Sequence, residues 1–468
     1  MINIIALIIL IVPILFKVFR EKKWYLYLMF SLYPILPDAF AIEISSSLPL
    51  LTVSRIILLL NMVIWLTVER GRIKLNFRKN ILIFWGVNIL VSLINLVDYT
   101  GEINKIFNII LHQILVVLIF KALIKTKEEF IKCLDYMLLG FVVSCFAGVL
   151  QTLFSVDASE PLMLVFRGEQ IGLNERMGME RARGFSISPI MFACECGFHT
   201  LLALYLYEHK EKKKYIFFIL IYIAGIILSM SRSSMLGLGL VLVLFLITRY
   251  RVVLKKYIKY IGIALAGAII ILIIMPDLAN KLLNPIKSAL NVLGMDFSIA
   301  SDFGDNVSNP VGSRSFQWSL LLYMIEQGTW LIGYGYNAYA RGLLYFHYEY
   351  IGYSGWDRAQ ALDVGFVTVL SEGGVVGLLN YWAFLAGILV TSFVNRKKGK
   401  ESKFNFYKLS VYLIIYYILM NIASYCVDIK SFWLFIGLWI VYDEAVRKHS
   451  WKVSEENEII NCNNVVQS

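Results

Sequence analysis

Residues 313–342 read SRSFQWSLLLYMIEQGTWLIGYGYNAYARG and lie within the longest polar interruption of a mostly apolar chain. The interruption runs from Pro276 to Leu379 and is rich in arginine, tyrosine, tryptophan and carboxylate side chains. Loops held by rigid elements commonly carry functional residues. The sequence therefore predicts that the chemistry lies in this loop and that the apolar segments form its frame.

The composition indicates an integral membrane protein. Of the 468 residues, 59% are hydrophobic and 16% are charged, whereas soluble domains contain about 25% charged residues. The net charge of +11 comes from basic clusters between apolar segments, which indicates membrane topology and argues against a nucleic-acid partner. The six cysteines form no paired CxxC pattern, so the sequence predicts neither a metal site nor a disulfide framework.

Apolar segments long enough to cross a bilayer recur along the chain, about thirteen in all. We place them at Ile2–Phe19, Trp24–Phe40, Leu50–Val68, Ile81–Val97, Ile106–Ile124, Leu134–Phe154, Ile190–Tyr207, Tyr215–Met230, Ser234–Thr248, Tyr260–Met275, Val375–Val394, Phe406–Cys426 and Ser431–Tyr442. The sequence therefore predicts an all-α polytopic membrane protein with about 12–14 transmembrane helices and one long extracytoplasmic loop.

The basic clusters set the orientation of these spans. Each adjacent pair of clusters encloses two spans, so all clusters fall on one side, which the positive-inside rule makes the cytoplasm. Met1 leads directly into an apolar segment with no preceding basic residue, so we expect an anchor with its N-terminus outside and a cytoplasmic C-terminus. The segment 155–189, the turn Ser231–Ser233 and the loop 276–361 then face the outside.

We divide the chain by this topology. The divisions are N-terminal transmembrane helices in 1–275 with the external loop 155–189, the long extracytoplasmic loop 276–361 with the expected active site, C-terminal transmembrane helices in 362–445, and a cytoplasmic polar tail in 446–468.

A helix from Arg314 to Gln327 is predicted within the long loop, with Ser313 as its cap and Gly328 at its end. Its apolar face predicts that it lies on the membrane surface; that face consists of Phe316, Leu320, Tyr323 and Met324. Gly333-Tyr334-Gly335 predicts a turn after it.

Arginines in the predicted external segments are candidates for binding an anionic group. Arg176 and Arg183 lie in the loop 155–189, and guanidinium groups bind phosphate bidentately; headgroup contact or loop packing is the alternative. Arg232 joins two spans with almost no loop, where a cation is costly unless it faces a cavity or partner. Snorkelling to the surface is the alternative for Arg232.

Arg314 opens the predicted loop helix, where a cation opposes the helix dipole. That mismatch indicates another partner, such as an anionic ligand, with a plain surface arginine as the alternative. For Arg341 and Arg358, in the same loop, a surface role is the favoured interpretation.

Four polar residues near or inside the spans are candidates for acid–base chemistry. On one straight helix, Asp363 and Glu372 would differ by about 13 Å of rise and half a turn, so they would not form a pair. Asp363 is then the better base, and Glu372, beside Gly373-Gly374, would hold structure or contact an arginine. Glu195 and His199 share one helix face; they are either functional or a mutually satisfied pair.

The order of these motifs resembles a known family. Arg183-Gly184-Phe185 with Pro189 comes first, followed by Ser231-Arg232-Ser233, Arg314 with Trp318, Gly333-Tyr334-Gly335, and Asp363 with Glu372-Gly373-Gly374 and Gly377-Leu378-Leu379. This arrangement resembles the O-antigen polymerase and O-antigen ligase superfamily of bacterial envelope proteins, which includes capsule and exopolysaccharide polymerases.

The resemblance implies a glycosyltransferase of the bacterial cytoplasmic membrane with a GT-C-type, multi-helix fold. It implies a donor glycan on undecaprenyl diphosphate and no metal or other cofactor. Arg232 and Arg314, with Arg183 as a third, would neutralise the diphosphate leaving group. The remaining loop residues would surround the diphosphate or the glycan; they are Arg176, Arg341, Arg358, Trp318 and Tyr334.

The resemblance also implies partners, namely the lipid bilayer, a chain-length regulator and a flippase. The ligase branch has His followed by Asn where this chain has Asp363-Val364. The difference leaves Asp363 as the activator of the acceptor hydroxyl and favours a polymerase. A ligase that moves finished glycan to a lipid or protein is the alternative. A flippase is more distant, because charge within the spans is sparse.

Overall fold

The computed structural model describes residues 24–36, 41–42, 51–68, 77–95, 99–155, 175–176, 179–248, 283, 287, 314, 316–350, 353–359, 361–396 and 404–448. Most of these residues are helical. The helices are α1 (Trp24–Leu32), α2 (Val53–Val68), α3 (Lys79–Ile94), α4 (Tyr99–Asn108), α5 (Val116–Leu123), α6 (Lys127–Phe154), α7 (Pro189–Lys210), α8 (Lys214–Leu228), α9 (Arg232–Thr248), α10 (Leu320–Glu326), α11 (Gly365–Asn395), α12 (Phe406–Ala423) and α13 (Lys430–Lys448).

Short connecting elements complete the described fold. A π-helical stretch, Ile109–Leu115, joins α4 to α5, and a 3-10 turn, Phe316–Ser319, precedes α10. Antiparallel hairpins form from β1 (Ala41–Ile42) with β2 (Leu51–Thr52), β3 (Glu175–Arg176) with β4 (Met179–Glu180), and β5 (Tyr345–Tyr350) with β6 (Tyr353–Arg358).

The prediction of an all-α polytopic membrane protein is confirmed. Within the described residues, five helices are long and apolar enough to cross a bilayer: Gly101–Leu123, α6, α7, α11 and α12. Three shorter apolar helices, α3, α8 and α9, accompany them. The predicted spans Ile2–Phe19 and Tyr260–Met275 lie outside the described residues.

The centre of the bundle is α7, whose most apolar part is 89% buried. Ser188 caps it by accepting from the Met191 N–H, and Pro189 at the first helical position needs no partner for an N–H. α7 packs against α6, α8 and α12. Helix α6 begins with a capping box between Thr126 and Glu129, which fixes where this second core helix starts.

Two predicted spans have different bounds. α1 ends at Leu32 and does not continue to Phe40, because Pro34 cannot supply a helical N–H. α11 begins at Gly365, ten residues before the predicted span, and runs for 31 residues. It is interrupted at Gly374, and the predicted span Val375–Val394 coincides with the part that follows this interruption. The first turns of α11 are buried against the long loop.

The long loop has its own apolar cluster, with Leu320 and Met324 of α10 fully buried. Phe316 and Tyr323 pack against that cluster, as do residues of β5 and of the start of α11. The prediction that this face of α10 lies on the membrane surface is therefore wrong, because the β5–β6 hairpin, which was not predicted, covers it. The helix does end as predicted, at Gly328, which has φ +72°; Ser313 lies outside the described residues.

Candidate active site

Ser424, the residue after α12, joins three distant parts of the chain. Its hydroxyl shares a 2.7 Å hydrogen bond with the Ser233 hydroxyl and accepts one of 3.1 Å from Arg314 Nη1. Its carbonyl accepts from the Gly365 N–H at 3.1 Å. The turn 231–233, the long loop and the start of α11 therefore meet at one point, which we call the Ser424 junction.

Arg314 is held at the junction by the carboxyl end of α12. Its Nη1 also donates to the Ala423 carbonyl, where a cation is favourable to the helix dipole. Its Nε lies 3.8 Å from Asp363 Oδ2, and its side chain is 27% exposed. The structure begins α10 at Leu320, so Arg314 is not at its N-terminus, and the predicted mismatch with the dipole of that helix is wrong.

Asp363 stands just before α11 with its side chain 43% exposed. The carboxamide oxygen of Gln317, a buried residue, accepts both the Asp363 and the Val364 N–H at 3.2 Å. This clamp orients the backbone that carries the carboxylate. Because Asp363 lies two residues before α11 begins at Gly365, it is not on the helix that carries Glu372, and the assumption that the two residues lie on one straight helix is wrong.

Arg232 is the first residue of α9 and lies beside the junction through its neighbour Ser233. Met230 has φ +54°, which lets the chain reverse between α8 and α9. Arg232 is partly buried, and its Nη1 is buried with no hydrogen-bond partner among the residues that the structure describes. A buried guanidinium nitrogen of this kind is suited to an anionic ligand.

The Arg183 loop docks on the same turn. The Ala182 N–H donates to the Leu228 carbonyl at 3.0 Å, and Arg181 Nε donates to the Ser229 carbonyl at 2.8 Å. Arg183 itself is 2% exposed, and its N–H donates to Gln151 Oε1. Arg176 lies in β3, and its side chain is outside the described residues.

Gly184 explains the Arg-Gly-Phe sequence of this loop. Its φ is +53°, and a Cβ there would lie 2.4 Å from the Ser144 carbonyl oxygen on α6. A glycine is therefore required for the loop to approach α6 so closely.

The other loop candidates lie away from the junction contacts. Arg341 donates to the Tyr334 carbonyl. Arg358 ends β6, where its guanidinium packs against Gly342. Trp318 is 37% exposed, and Tyr334 is half-buried in the predicted turn. These positions fit loop structure and surface contact, and their roles with substrate stay predictions.

Glu372 holds the turn after α10. Its Oε2 lies 3.3 Å from Lys105 Nζ, and its Oε1 accepts from the Asn337 N–H at 3.1 Å. Its carbonyl accepts from the Gly335 N–H. The cation beside Glu372 is thus a lysine and not an arginine, and the structural role of Glu372 stays a prediction.

Gly374 allows the turn to insert into α11. It has φ 60° and ψ −163°, and the Trp330 and Leu331 carbonyls accept from the N–H groups just after it. A Cβ at Gly374 would lie 2.4 Å from the Leu331 carbonyl. The interrupted helix therefore supplies the hydrogen-bonding groups that anchor the long loop.

We expect Gly374→Ala to lower the free energy of unfolding by about 2–4 kcal/mol, because it adds backbone strain and a clash with Leu331. Thermal unfolding of the purified protein in detergent measures this. Gly239→Ala is the matched control, since a Cβ at Gly239 in α9 meets no described heavy atom within 4 Å and alanine favours a helix by about 1 kcal/mol. Equal melting of the two variants would contradict the role of Gly374.

Glu195 and His199 lie in the core of the bundle on α7. His199 Nδ1 is 3.6 Å from Glu195 Oε2 and 2.7 Å from the Glu195 carbonyl oxygen. The imidazole stacks on Phe141, and Glu195 Oε1 accepts from the Ser431 N–H. Glu195 Oε2 and His199 Nε2 are nevertheless buried with no hydrogen-bond partner among the described residues, so the two side chains do not fully satisfy each other, and the role of the pair stays a prediction.

Glu195→Gln preserves the shape and the bond to Ser431, so we expect the activity of the protein to stay within about threefold of wild type. Loss of a general acid or base would instead cost about 10²–10⁴-fold. The test compares the activity of the variant and of wild type in membrane vesicles. A loss of about 10²-fold with unchanged thermal stability would indicate that this pair takes part in catalysis.

A cavity of about 610 Å³ adjoins the Ser424 junction. Val427 and Asp428 of the α12–α13 loop line it, as do Lys430, the first residue of α13, and Ile187 of the Arg183 loop. Glu372 and Gly373 of α11 form another part of the wall. Of the segments predicted to be external, the Arg183 loop contributes Ile187 to this wall and the long loop contributes Tyr336.

Several residues of this region were missed as site candidates. Ser424 and Gln317 are unremarkable polar residues in sequence, and no local pattern marks them. Arg55, Lys105 and Lys430 line the cavity, and a cation at the outer end of an apolar span is the signal that marks them.

Comparison with known proteins adds the family. Residues 217–382 match the profile of the family described as O-antigen ligase. This segment contains Arg232, Arg314, Asp363 and Glu372. A search of curated proteins found no match. The resemblance of this chain to the O-antigen polymerase and ligase superfamily is thus confirmed, and it rests on residues 217–382 of a multi-pass membrane protein.

Proposed function

We propose that the protein is a polymerase that joins lipid-linked oligosaccharide repeat units at the outer face of the bacterial cytoplasmic membrane. The observation that supports this most is the Ser424 junction. It gathers Ser233, Arg314 and Gly365 from three segments, and each segment carries a residue suited to transfer of a glycan from a diphosphate.

In the proposed reaction, Arg314 and Arg232 bind the diphosphate of the donor. Negative charge grows on the diphosphate oxygen as its bond to the anomeric carbon breaks, and fixed guanidinium groups stabilise that charge. The acceptor hydroxyl forms the new bond to the same carbon, and its proton passes to the Asp363 carboxylate. The electron pair of the broken bond leaves with the lipid diphosphate.

The contact between Arg314 and Asp363 is compatible with both roles. It is 3.8 Å long between partly exposed side chains, and ion pairs of this kind contribute about 0–1 kcal/mol. A bound diphosphate would compete for the guanidinium. The carboxylate would then be released as the donor binds, at the step where a base is needed.

The test is the glycan profile of a strain that lacks the gene, with and without the wild-type gene restored. A polymerase predicts that the ladder of chain lengths collapses to a band with one repeat unit on the final acceptor. Restoring the wild-type gene would restore the ladder. An unchanged ladder in the deletion strain would overturn the proposal.

A ligase is the second candidate, because the description of the matched family is O-antigen ligase. The same experiment separates the two. A ligase mutant displays no glycan at all on the final acceptor, while polymer accumulates on the lipid carrier. The Asp363-Val364 sequence, where the ligase branch typically has His followed by Asn, favours the polymerase.

A further inference from the structure

Helix α10 has a second apolar face, opposite the one that the β5–β6 hairpin covers. Leu322 is 59% exposed and Ile325 is 51% exposed, whereas Leu320 and Met324 are fully buried. With about 3.6 residues per turn, positions 322 and 325 lie on the side of the helix that faces away from 320 and 324. Trp318, in the 3-10 turn before α10, is also exposed. We call Trp318, Leu322 and Ile325 the outer face of α10.

The chain that follows α10 continues this apolar surface. Trp330 and Leu331 are both exposed. The Trp330 carbonyl accepts from the Val375 N–H at 2.8 Å, and the Leu331 carbonyl accepts from the Val376 N–H at 3.1 Å. Both residues therefore lie beside the first turn of α11 after its interruption at Gly374.

The part of α11 that follows the interruption indicates where the bilayer begins. Val375–Asn395 contains about 20 residues, the length that crosses a hydrocarbon core. Its exposed apolar residues face lipid; they include Leu379, one turn from its start, and Val390. The basic cluster 396–403 follows its other end, so the positive-inside rule assigns Val375 to the outer boundary of the bilayer.

The end of α3 lies at the same boundary. Asn95, the residue after α3, donates from Nδ2 to the Ile332 carbonyl at 2.7 Å. Leu93 and Ile94 just before it are exposed, and α3 packs against α11. Two apolar helices with exposed ends thus flank residues 330–332. The outer face of α10 is therefore continuous with the lipid-facing surface of the helix bundle.

We propose that the outer face of α10, with Trp330 and Leu331, binds the phospholipids of the outer leaflet and holds the long loop against the bilayer. Leu322 and Ile325 contact acyl chains, and the two tryptophans lie at the headgroup boundary. Tryptophan is enriched there because its ring is apolar and its N–H is polar. The sequence from Trp318 to Ile325 contains no charged residue, which suits a face that is buried among acyl chains.

The membrane contact would also fix the height of Asp363. Gln317, in the 3-10 turn that leads into α10, accepts the N–H groups of Asp363 and Val364. A lipid-bound α10 therefore holds this carboxylate at a set distance from the bilayer. For the proposed polymerase, on which this consequence alone rests, that distance is set by where the diphosphate of a membrane-bound donor lies.

The test is the accessibility of a nitroxide label to two reagents, oxygen, which concentrates in lipid, and a water-soluble nickel chelate. The protein is the full-length chain with Cys462→Ser, because the other five cysteines are buried. It is reconstituted in liposomes of phosphatidylethanolamine and phosphatidylglycerol. Leu322→Cys and Ile325→Cys carry the label on the outer face of α10, and the chain without an added cysteine gives the background.

Two matched controls define the scale of this measurement. Leu379→Cys places the label on an exposed, lipid-facing position of α11. Ser354→Cys places it on an exposed position of β6, in the hairpin that covers the opposite face of α10. We expect the ratio of oxygen to nickel collisions at positions 322 and 325 to match that of Leu379→Cys and to exceed that of Ser354→Cys.

Two results would overturn the inference. A ratio at positions 322 and 325 that matches Ser354→Cys would place the outer face in water. Protection of both positions from both reagents would show that another segment of the protein covers the face. The measurement does not use glycan synthesis, so lipid-embedded labels on a protein that forms no polymer would reject the polymerase alone. Water-exposed labels on an active polymerase would reject the membrane contact alone.

Discussion

Asp363→Asn is expected to reduce the rate of glycan extension by about 10²–10⁴-fold, the usual effect of removing a general base. Asparagine has the same shape but cannot accept the proton of the acceptor hydroxyl at neutral pH. The measurement is extension of a purified lipid-linked repeat unit by protein in membrane vesicles. The deletion strain that carries this variant should display single repeat units.

A measurement of the free energy of unfolding should distinguish the loss of the general base from a loss of structure. The Asp363 side chain is 43% exposed, and its ion pair with Arg314 is 3.8 Å long, so the substitution should change the free energy of unfolding by about 1 kcal/mol or less. The backbone clamp by Gln317 is unaffected. An activity within tenfold of wild type would show that Asp363 is not the base.

Arg314→Ala is expected to reduce the same activity by about 10²–10³-fold, the range seen when one oxyanion-stabilising donor is removed. The lost interaction forms in the transition state, where charge collects on the departing diphosphate. The effect should therefore appear in kcat at a saturating concentration of lipid-linked substrate. A change confined to KM would contradict the proposed role.

Arg314 also supports the fold, and its controls must account for that. Its Nη1 donates to the Ala423 carbonyl and the Ser424 hydroxyl. Ser424→Ala removes that hydroxyl and leaves the guanidinium, so we expect it to reduce activity much less than Arg314→Ala does. Arg314→Lys keeps the charge without the planar fork and should be intermediate. Equal losses in Ser424→Ala and Arg314→Ala would indicate a structural role for both.

The membrane class follows from the sequence, because hydrophobic length and basic clusters are local properties of a chain. The turn Gly333-Tyr334-Gly335 was also predicted, and both glycines have positive φ. The position of α10 was not predicted correctly, because an apolar helical face has the same sequence pattern whether it contacts lipid or protein. In the structure the β5–β6 hairpin covers α10, so the predicted apolar face of this helix contacts protein.

For the acid–base candidates too, the sequence predicted some features and the tertiary structure decided others. Asp363 and Glu372 were recognised as polar residues near a span, yet their predicted separation assumed one straight helix, whereas α11 begins at Gly365 and does not include Asp363. The Glu195–His199 pair followed from helical spacing, but the stacking of His199 on Phe141 and the bond from Ser431 come from other helices. Helical spacing is therefore a guide to neighbours within one helix only.

By itself, the sequence determined that this is a multi-span membrane protein with a polar loop and an ordered set of motifs that resembles one superfamily. Only the tertiary structure decided which of those residues meet. Ser233 and Ser424 are 191 positions apart, and Ser54 and Lys430 are 376 apart. Contacts over such distances depend on how helices pack against one another, which no local pattern of hydrophobicity or charge specifies.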